Sequence, residues 1–389
     1  MLNMTSPIYL DYNATTPVDP QVFSIMEPYF KTHFGNPSSF AHQWGWAAQK
    51  GVEKARTQVA ALLDAKSFEI TFTSGATESN NWVIFGLVNK FQSENPGDPL
   101  HILASDVEHS SIRNSLMEVQ RRGVEVDFVK TNKYGQLDIE AVTKAIKPHT
   151  KLMSFIWVNN EIGSINPMQD LVKLAKEKKI YIHSDATQAL GKIPVNMHEI
   201  PVDFLSASAH KFYGPKGAGI LYMRSNQPKV TLPPLIFGGG QESGHRSGTH
   251  NVPAIVGLGA AAELCQKIIS EEMARTTELR NYLWTGIQKN IPGARLNGHP
   301  TERSPINLNV TFPGKNIEQL LPKLGRLGFS QGSACHTGSL EASPVLKAIG
   351  LSSQEAQGTI RLSLGRWTTK EELDIAVEIL TQAMGADKV

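Results

Sequence analysis

The sequence predicts an α/β protein: a larger domain built on a mainly parallel sheet covered by helices, then a smaller α+β domain. Two patterns carry this. From about residue 68 to 223, short apolar or β-branched runs alternate with amphipathic stretches, the sequence form of strands joined by crossover helices in a buried parallel sheet. Beyond about residue 291 a smaller pattern begins, with strand-like PINLNVTF (305–312) and TIRLSLG (359–365) around a helical segment near 316–325. A chain of 389 residues, 40% of them hydrophobic, is long enough to bury two such cores.

The elements follow in order. An N-terminal arm over 1–15 is expected to pack on the small domain, and Asp19–Pro20 then opens a helix through VFSIMEPYF (22–30). Strands are expected at FEITFTS (68–74), HILAS (101–105), VEVDFV (124–129), KLMSFIWV (151–158) and IYIHSD (180–185), with a further apolar strand leading into SASAHK (206–211). After the glycine-rich GGGQESGHRSGTHN (238–251), Val252, Ile255, Val256 and Gly259, then Leu279, Leu283 and Ile287, fall near helical spacing and mark a helix that bridges the domains. The expected division is a large domain over 16–255 and a small one over 256–389.

Charge and cysteine content narrow the function. The 38 basic and 36 acidic side chains are spread along the chain for a net +2, which leaves no basic stripe for nucleic acid or a membrane surface. Two cysteines, Cys265 and Cys335, are too few for a disulfide framework or a Cys/His zinc site, and fit a reducing compartment. No resident metal is expected. The opening MLNMTSPIYLDYNATTP has no basic segment leading into an apolar one, so no signal or transit peptide is expected. No apolar run approaches the roughly 20 residues of a membrane helix. The expectation is a soluble, cytoplasmic protein acting on a small molecule.

In a parallel α/β sheet, ligands lie beyond the carboxyl ends of the strands, and the polar clusters of this chain follow its apolar runs. In SASAHKFYGPKGAGILY (206–222), Lys211 sits among small residues before a Gly/Pro-rich turn. A lone loop lysine is ordinarily a surface residue, but small neighbours and a semi-enclosed setting suit a lysine that must capture a carbonyl. Ser208 and His210 would lie beside it. TSGATESNN (73–81) follows a strand and opens a helix, so the N–H groups of Gly75, Ala76 and Thr77 and the Thr77 hydroxyl point toward an anion such as a phosphate. The same segment would also serve as an ordinary helix cap.

In HSDATQALG (183–191), Asp185 closes an apolar strand, and a buried carboxylate there needs a cationic partner. The protonated ring nitrogen of pyridoxal phosphate is such a partner. Gln188, and Asn160 from VNNEIG (158–163), would reach the ring hydroxyl. His109 in DVEHSSI is placed to stack on a ring and carry protons. Thr249 and Gly248 in SGHRSGTHN (243–251) offer further phosphate donors, with Arg246 as a possible charge, from a loop that could reach a partner's site. Arg361 in TIRLSLG has the planar fork that suits a substrate carboxylate, although a structural ion pair explains an isolated strand arginine equally well. Cys335, in the small-residue run FSQGSACHTGSLEAS (329–343), suits a nucleophile on a moving loop, with His336 beside it.

Taken in order, LDYNATTPVDP (10–20), FGNPSS (34–39), TSGATESNN, VNNEIG, DATQALGK, HKFYGPKG, RSGT, GSAC and IRLSLGRWTT (360–369) resemble the cysteine desulfurases of the NifS/IscS type. These lie in the class V aminotransferase group of fold-type I pyridoxal-phosphate enzymes, and the resemblance covers almost the whole chain. It implies a seven-stranded sheet in the large domain and a homodimer with one pyridoxal 5′-phosphate per subunit. It further implies removal of sulfur from L-cysteine to give L-alanine and a persulfide on Cys335, destined for iron–sulfur or other thio-cofactor assembly. Lys211 would hold the cofactor as a Schiff base, His109 stack on its ring, Asp185 pair with its nitrogen, and Gln188 and Asn160 bind its hydroxyl side. Ala76, Thr77, Ser208, His210 and the partner subunit's Thr249 would hold the phosphate, while Arg361 fixes the substrate carboxylate.

His336 and Thr337 stand where relatives often carry small or hydroxyl residues. The chain ends at Val389 without the longer tail that some relatives use to dock an iron–sulfur scaffold protein, so delivery to a scaffold, and a transient iron–sulfur ligand role for Cys335, are weaker implications than desulfuration. The competing enzyme readings are a cystine or cysteine C–S lyase, a selenocysteine lyase, or an aminotransferase. The competing non-enzyme reading is a thiol-based binding or sensing protein.

Overall fold

The computed structural model describes residues 6–225, 231–331 and 342–385. The arm contributes a short strand, β1 (Ile8–Tyr9), and the large sheet is built from β2 (Ile70–Thr73), β3 (His101–Ser105), β4 (Glu125–Val129), β5 (Thr150–Ile156), β6 (Tyr181–Asp185), β7 (Phe204–Ser208) and β8 (Gly219–Met223). Their spatial order is β2-β8-β7-β6-β5-β3-β4. Only β8 runs against its neighbours, and the other pairings are parallel.

Because successive strand residues point to opposite faces, the same strands feed two cores. Leu103, Met153, Phe155, Leu205, Ala207 and Ile220 join one cluster beneath the helix Gln43–Leu63. Ile102, Ala104, Leu152, Phe204 and Leu221 join the other, under the helices Ala76–Glu94 and Ser110–Arg121. This is why the strand runs read as continuously apolar.

A third core holds the second layer system. There β9 (Arg295–Asn297), β10 (Asn307–Thr311), β12 (Ser330–Gln331) and β13 (Thr359–Ser363) form an antiparallel sheet in the order β12-β13-β10-β9. The helices Ile317–Leu324 and Lys370–Met384 contribute Ile317, Leu373, Ala376 and Leu380 to its core. The N-terminal arm belongs to it as well: β1 pairs with β11 (Leu327–Gly328), and Ile8 and Leu10 are buried in that core.

The two systems share the 39-residue helix Val252–Asn290. Its residues down to Cys265 lie in the first core, whereas Leu283 and Ile287 lie in the third. Position 256 therefore falls inside one continuous helix, and the apolar stretch after the glycine-rich loop is core-facing: 61% of its most apolar window is buried within the protein.

One close approach fixes the rim above the sheet. A Cβ on Gly219 would lie 2.5 Å from the Gly75 Cα and 2.7 Å from the Ala207 carbonyl oxygen, so glycine there is what allows the turn before the helix Ala76–Glu94 to sit against β8.

Leu283 is fully buried where the long helix enters the third core. Leu283→Ala is expected to lower unfolding stability by about 2–5 kcal/mol, read by denaturant titration of the cofactor-loaded protein.

Candidate active site

The carboxyl ends of β2, β3, β5, β6 and β7 converge on a cavity of about 330 Å³. Ala76, Thr77, His109, Asn160, Asp185, Gln188, Ser208, His210, Lys211 and Arg361, all singled out from the sequence, line it together. Thr249 is exposed and does not line it. Cys335 and His336 lie outside the described residues.

Lys211 follows β7 in a single 3-10 turn, Ala209–Lys211. Its Nζ donates to the backbone carbonyls of Asn13 at 2.8 Å and Ala14 at 2.7 Å, so the N-terminal arm crosses the site and receives the amine. The neighbouring His210 accepts or donates through Nδ1 with the Thr15 hydroxyl at 3.1 Å, according to tautomer. Burial, then the positive charge of Lys211, pushes the His210 imidazole down to about 4, so it is a neutral ring at physiological pH.

At the opposite end, Asp185 closes β6 and is buried. Its Oδ2 accepts from the Asn80 side chain at 2.9 Å and its Oδ1 from the Thr187 N–H at 3.0 Å. His183, two residues earlier, is fixed between Ser154 and Ser206 at 2.9 and 3.0 Å, and burial holds it down to about 4. The carboxylate thus has oriented donors but no protein cation at hydrogen-bonding distance among the described residues. A cationic ligand atom would complete it.

The phosphate-side groups are already in register. The Ala76 N–H, first in its helix, donates to the Ser208 hydroxyl at 2.7 Å, which places a helix N-terminus, a hydroxyl and a neutral imidazole along one edge. Arg246, considered from the sequence as a phosphate charge, is instead committed to Glu78, with Nε–Oε1 at 2.9 Å and Nη2–Oε2 at 3.2 Å. A carboxylate one residue past Thr77 claims it, a pairing across 168 residues that no local pattern signals.

Arg361 makes the ion pair of its structural reading and also lines the cavity. It pairs with Asp11 at 2.8 Å and donates to the Asn160 carbonyl at 2.9 Å and the Ser330 hydroxyl at 2.6 Å. Its Nε, however, is buried without a partner among the described residues, as are Asn160 Oδ1 and Thr187 Oγ1 on the same cavity wall. Buried polar atoms of this kind call for a ligand.

Several contributors escaped the sequence reading. Asn13 and Ala14 act through backbone carbonyls, which no side-chain pattern signals. Ser111 and Ser330 line the cavity from segments read for other residues. Glu108, beside His109, is fully buried and bonded to the Ser105 hydroxyl at 2.5 Å and the Ile156 N–H at 3.0 Å. Burial raises its carboxyl to about 8, with the nearby Asp185 charge adding to the shift.

A lysine amine, a buried carboxylate and an anion-binding helix end around one cavity define a site for a cofactor with a carbonyl, a basic ring nitrogen and a phosphate, and the orphaned atoms leave room for its polar edges. The protein is a pyridoxal-phosphate-dependent enzyme. Residues 8–375 match the aminotransferase class-V family, and the chain belongs to that family. It is similar to the protein named cysteine desulfurase IscS from Rickettsia prowazekii, 43% identical over 382 residues that cover 97% of this chain and 91% of the relative. Among solved structures, it is similar to a NifS-like protein (TM-score 0.90, 35% identity, 97% of this chain and 99% of that one). It is also similar to SspA in complex with cysteine (TM-score 0.78, 35% identity, 93% and 100%).

Glu108 supplies a pH test. With its folded pKa raised above the ordinary 4.5 to about 8, its stabilising contribution is full below the unfolded value and is lost as pH rises through the folded one. Glu108→Gln mimics the protonated form, so its stability relative to the parent is expected to rise between pH 5 and pH 8, measured by thermal unfolding at both. An unchanged difference would show that Glu108 is ionised when folded.

Proposed function

We propose that this enzyme is a cysteine desulfurase that takes sulfur from L-cysteine, releases L-alanine and carries the sulfur as a persulfide on Cys335. The observation that carries the reading is the convergence of Lys211, Asp185, His109 and Arg361 on one cavity, in a chain 43% identical to a cysteine desulfurase across nearly its whole length. When bound, the cofactor supplies the carbonyl that captures an amine and the electron sink that stabilises negative charge at the substrate Cα.

The chain's own groups do the rest. Ala76, Thr77, Ser208 and His210 would hold the phosphate, Asp185 the ring nitrogen, and Gln188 and Asn160 the ring hydroxyl, with His109 over the ring face. Lys211 would anchor the cofactor and would move the proton at the substrate Cα. Its two carbonyl contacts on the arm hold the amine when it is not joined to the cofactor. Arg361 binds the substrate carboxylate while Asp11 keeps the guanidinium oriented.

The Cys335 thiolate then attacks the substrate sulfur. An S–S bond forms, the Cβ–S bond breaks, and its electron pair stays on the carbon skeleton, which takes up protons and leaves as alanine. Ser330, on the cavity wall, is five residues before Cys335, a distance the chain can span in at most about 18 Å. Cys265, by contrast, is buried in the first core and burial pushes its thiol up to about 12, so it is no candidate nucleophile.

The second subunit of a homodimer would complete the phosphate cup. Phe34, Phe40, Trp44 and Trp46 are exposed on one stretch of chain, as is Phe237 on the loop leading to Thr249. Large exposed aromatics in such number favour a covered face. Exposed Thr249 is then available to a partner's cavity rather than its own. The persulfide would pass to an acceptor protein of the iron–sulfur or thio-cofactor assembly type, in the reducing cytoplasm that the sequence composition suits.

Single-turnover reaction with L-cysteine, following alanine and the mass of the Cys335 peptide together, tests the reading. One alanine per subunit with a persulfide on Cys335 is expected; alanine or pyruvate without it would make the enzyme a lyase. Lys211→Ala is expected to lose the visible absorption of the bound cofactor. Cys335→Ala should keep that absorption and lose sulfur transfer. Arg361→Lys keeps the charge but loses the fork, and is expected to lower kcat/KM for L-cysteine by about 10- to 100-fold, mostly through KM.

A further inference from the structure

Behind the cavity lies a lysine that none of these steps uses. Lys192 is 8% exposed, and it enters the interior through Gly191, whose φ is +76° and whose Cβ, if present, would lie 2.5 Å from the Phe212 Cβ. Only glycine tolerates that turn at that spacing. Among the described residues, the Lys192 amine has one hydrogen-bond partner, the Gln188 Oε1 four residues earlier. Gln188 in turn donates through Nε2 to the Asn13 carbonyl at 2.9 Å, the same oxygen that receives Lys211 at 2.8 Å.

This chain of contacts leaves the Gln188 amide one orientation. A backbone carbonyl only accepts, so the atom beside it must be the amide nitrogen, and the amide oxygen then faces the Lys192 amine, which donates to it. Without Lys192, the buried amide oxygen would lose its partner, and the side chain would lose one of the two contacts that hold it at the cavity. Burying an amine with no carboxylate partner is costly. Burial, then the positive charges of Lys211 and Arg361, holds Lys192 well below the ordinary lysine range, with Cys265 alone acting in the other direction. Glu272, the one carboxylate among the described residues lining the small cavity beside Lys192, is engaged by Arg366.

We propose that Lys192 is a positioning residue that locks the Gln188 amide with its N–H donor, not its carbonyl, turned toward the cavity and the ring oxygen of the cofactor. The proposal rests on the reading that Gln188 serves that edge of the cofactor. An N–H donor draws off negative charge from the ring oxygen, and so weakens the hold of that oxygen on the proton of the Lys211 Schiff base. Losing the donor raises the pH at which the visible absorption of the bound cofactor changes.

The test is the absorbance–pH titration of the holoenzyme and its variants, a readout independent of turnover. Lys192→Met is expected to move the midpoint up by about one pH unit, the size of a lost hydrogen bond to one protonation state. Gln188→Ala should move it by a similar amount, and adding Lys192→Met to Gln188→Ala should move it no further. Lys192→Gln, which keeps an N–H donor without the charge, should shift it by less than half as much.

An unshifted Lys192→Met beside a shifted Gln188→Ala would overturn the proposal while leaving the Gln188 reading intact. Additive shifts in the double variant, or a Lys192→Gln shift equal to that of Lys192→Met, would overturn it in favour of a bare charge effect. An unshifted Gln188→Ala would overturn both. Should Lys192→Met not fold, the comparison of Lys192→Gln with Gln188→Ala decides: equal shifts overturn the proposal, and a small one against a large one supports it.

Discussion

An ammonium placed inside a protein must be given acceptors, and the way Lys211 receives them organises the molecule. The two carbonyls on its Nζ belong to Asn13 and Ala14, in an arm whose Ile8 and Leu10 are buried in the core of the antiparallel sheet. The arm therefore ties the small core to the rim of the large sheet at the one point where the amine emerges. Its neighbours repeat the connection: Asp11 holds Arg361, the Asn13 N–H bonds the Ser363 hydroxyl at 2.8 Å, and Thr16 bonds the His210 carbonyl at 3.0 Å. Lys211, Arg361 and both sheets are held by about six consecutive residues.

Around that point the site divides by charge. Cations gather on the arm side, where burial, then the charges of Lys211 and Arg361, hold Lys192 down, and burial, then the charge of Lys211, holds His210 neutral. On the far side, Asp185 is held by neutral donors, and buried Glu108 is pushed up to about 8. On the arm side, Arg361 is paired with Asp11, whereas Asp185 has no such partner among the described residues and would be completed by a cationic ligand atom. The small, neutral donors at the helix end Ala76–Thr77 have no dedicated cation beside them from Arg246, which is occupied by Glu78.

Much of this was legible in the chain. Strand runs such as HILAS coincide with β3 because residues buried on both faces must be apolar throughout, and polar clusters that follow such runs must meet at the carboxyl rim of a parallel sheet. That rule brought Ala76 to one cavity with Asp185, Ser208 and Lys211, each more than 100 residues further along the chain. The long helix was legible as a bridge from its spacing. Its division between two cores was not, because an amphipathic period is the same whichever core it faces, and the change comes only after Cys265.

By itself, the sequence determined the parallel sheet, the rim, the amine and carboxylate that meet in the cavity, and the family. These depend on local periodicity and on residue types that few other arrangements tolerate. Only the tertiary structure decided which backbone carbonyls receive Lys211, which way the Gln188 amide turns, that Arg246 belongs to Glu78, and that Glu108 and Lys192 are buried where their charged forms are disfavoured. Each of those is a matter of distance across the chain and of desolvation. Neither quantity is written in a residue or in its neighbours in sequence.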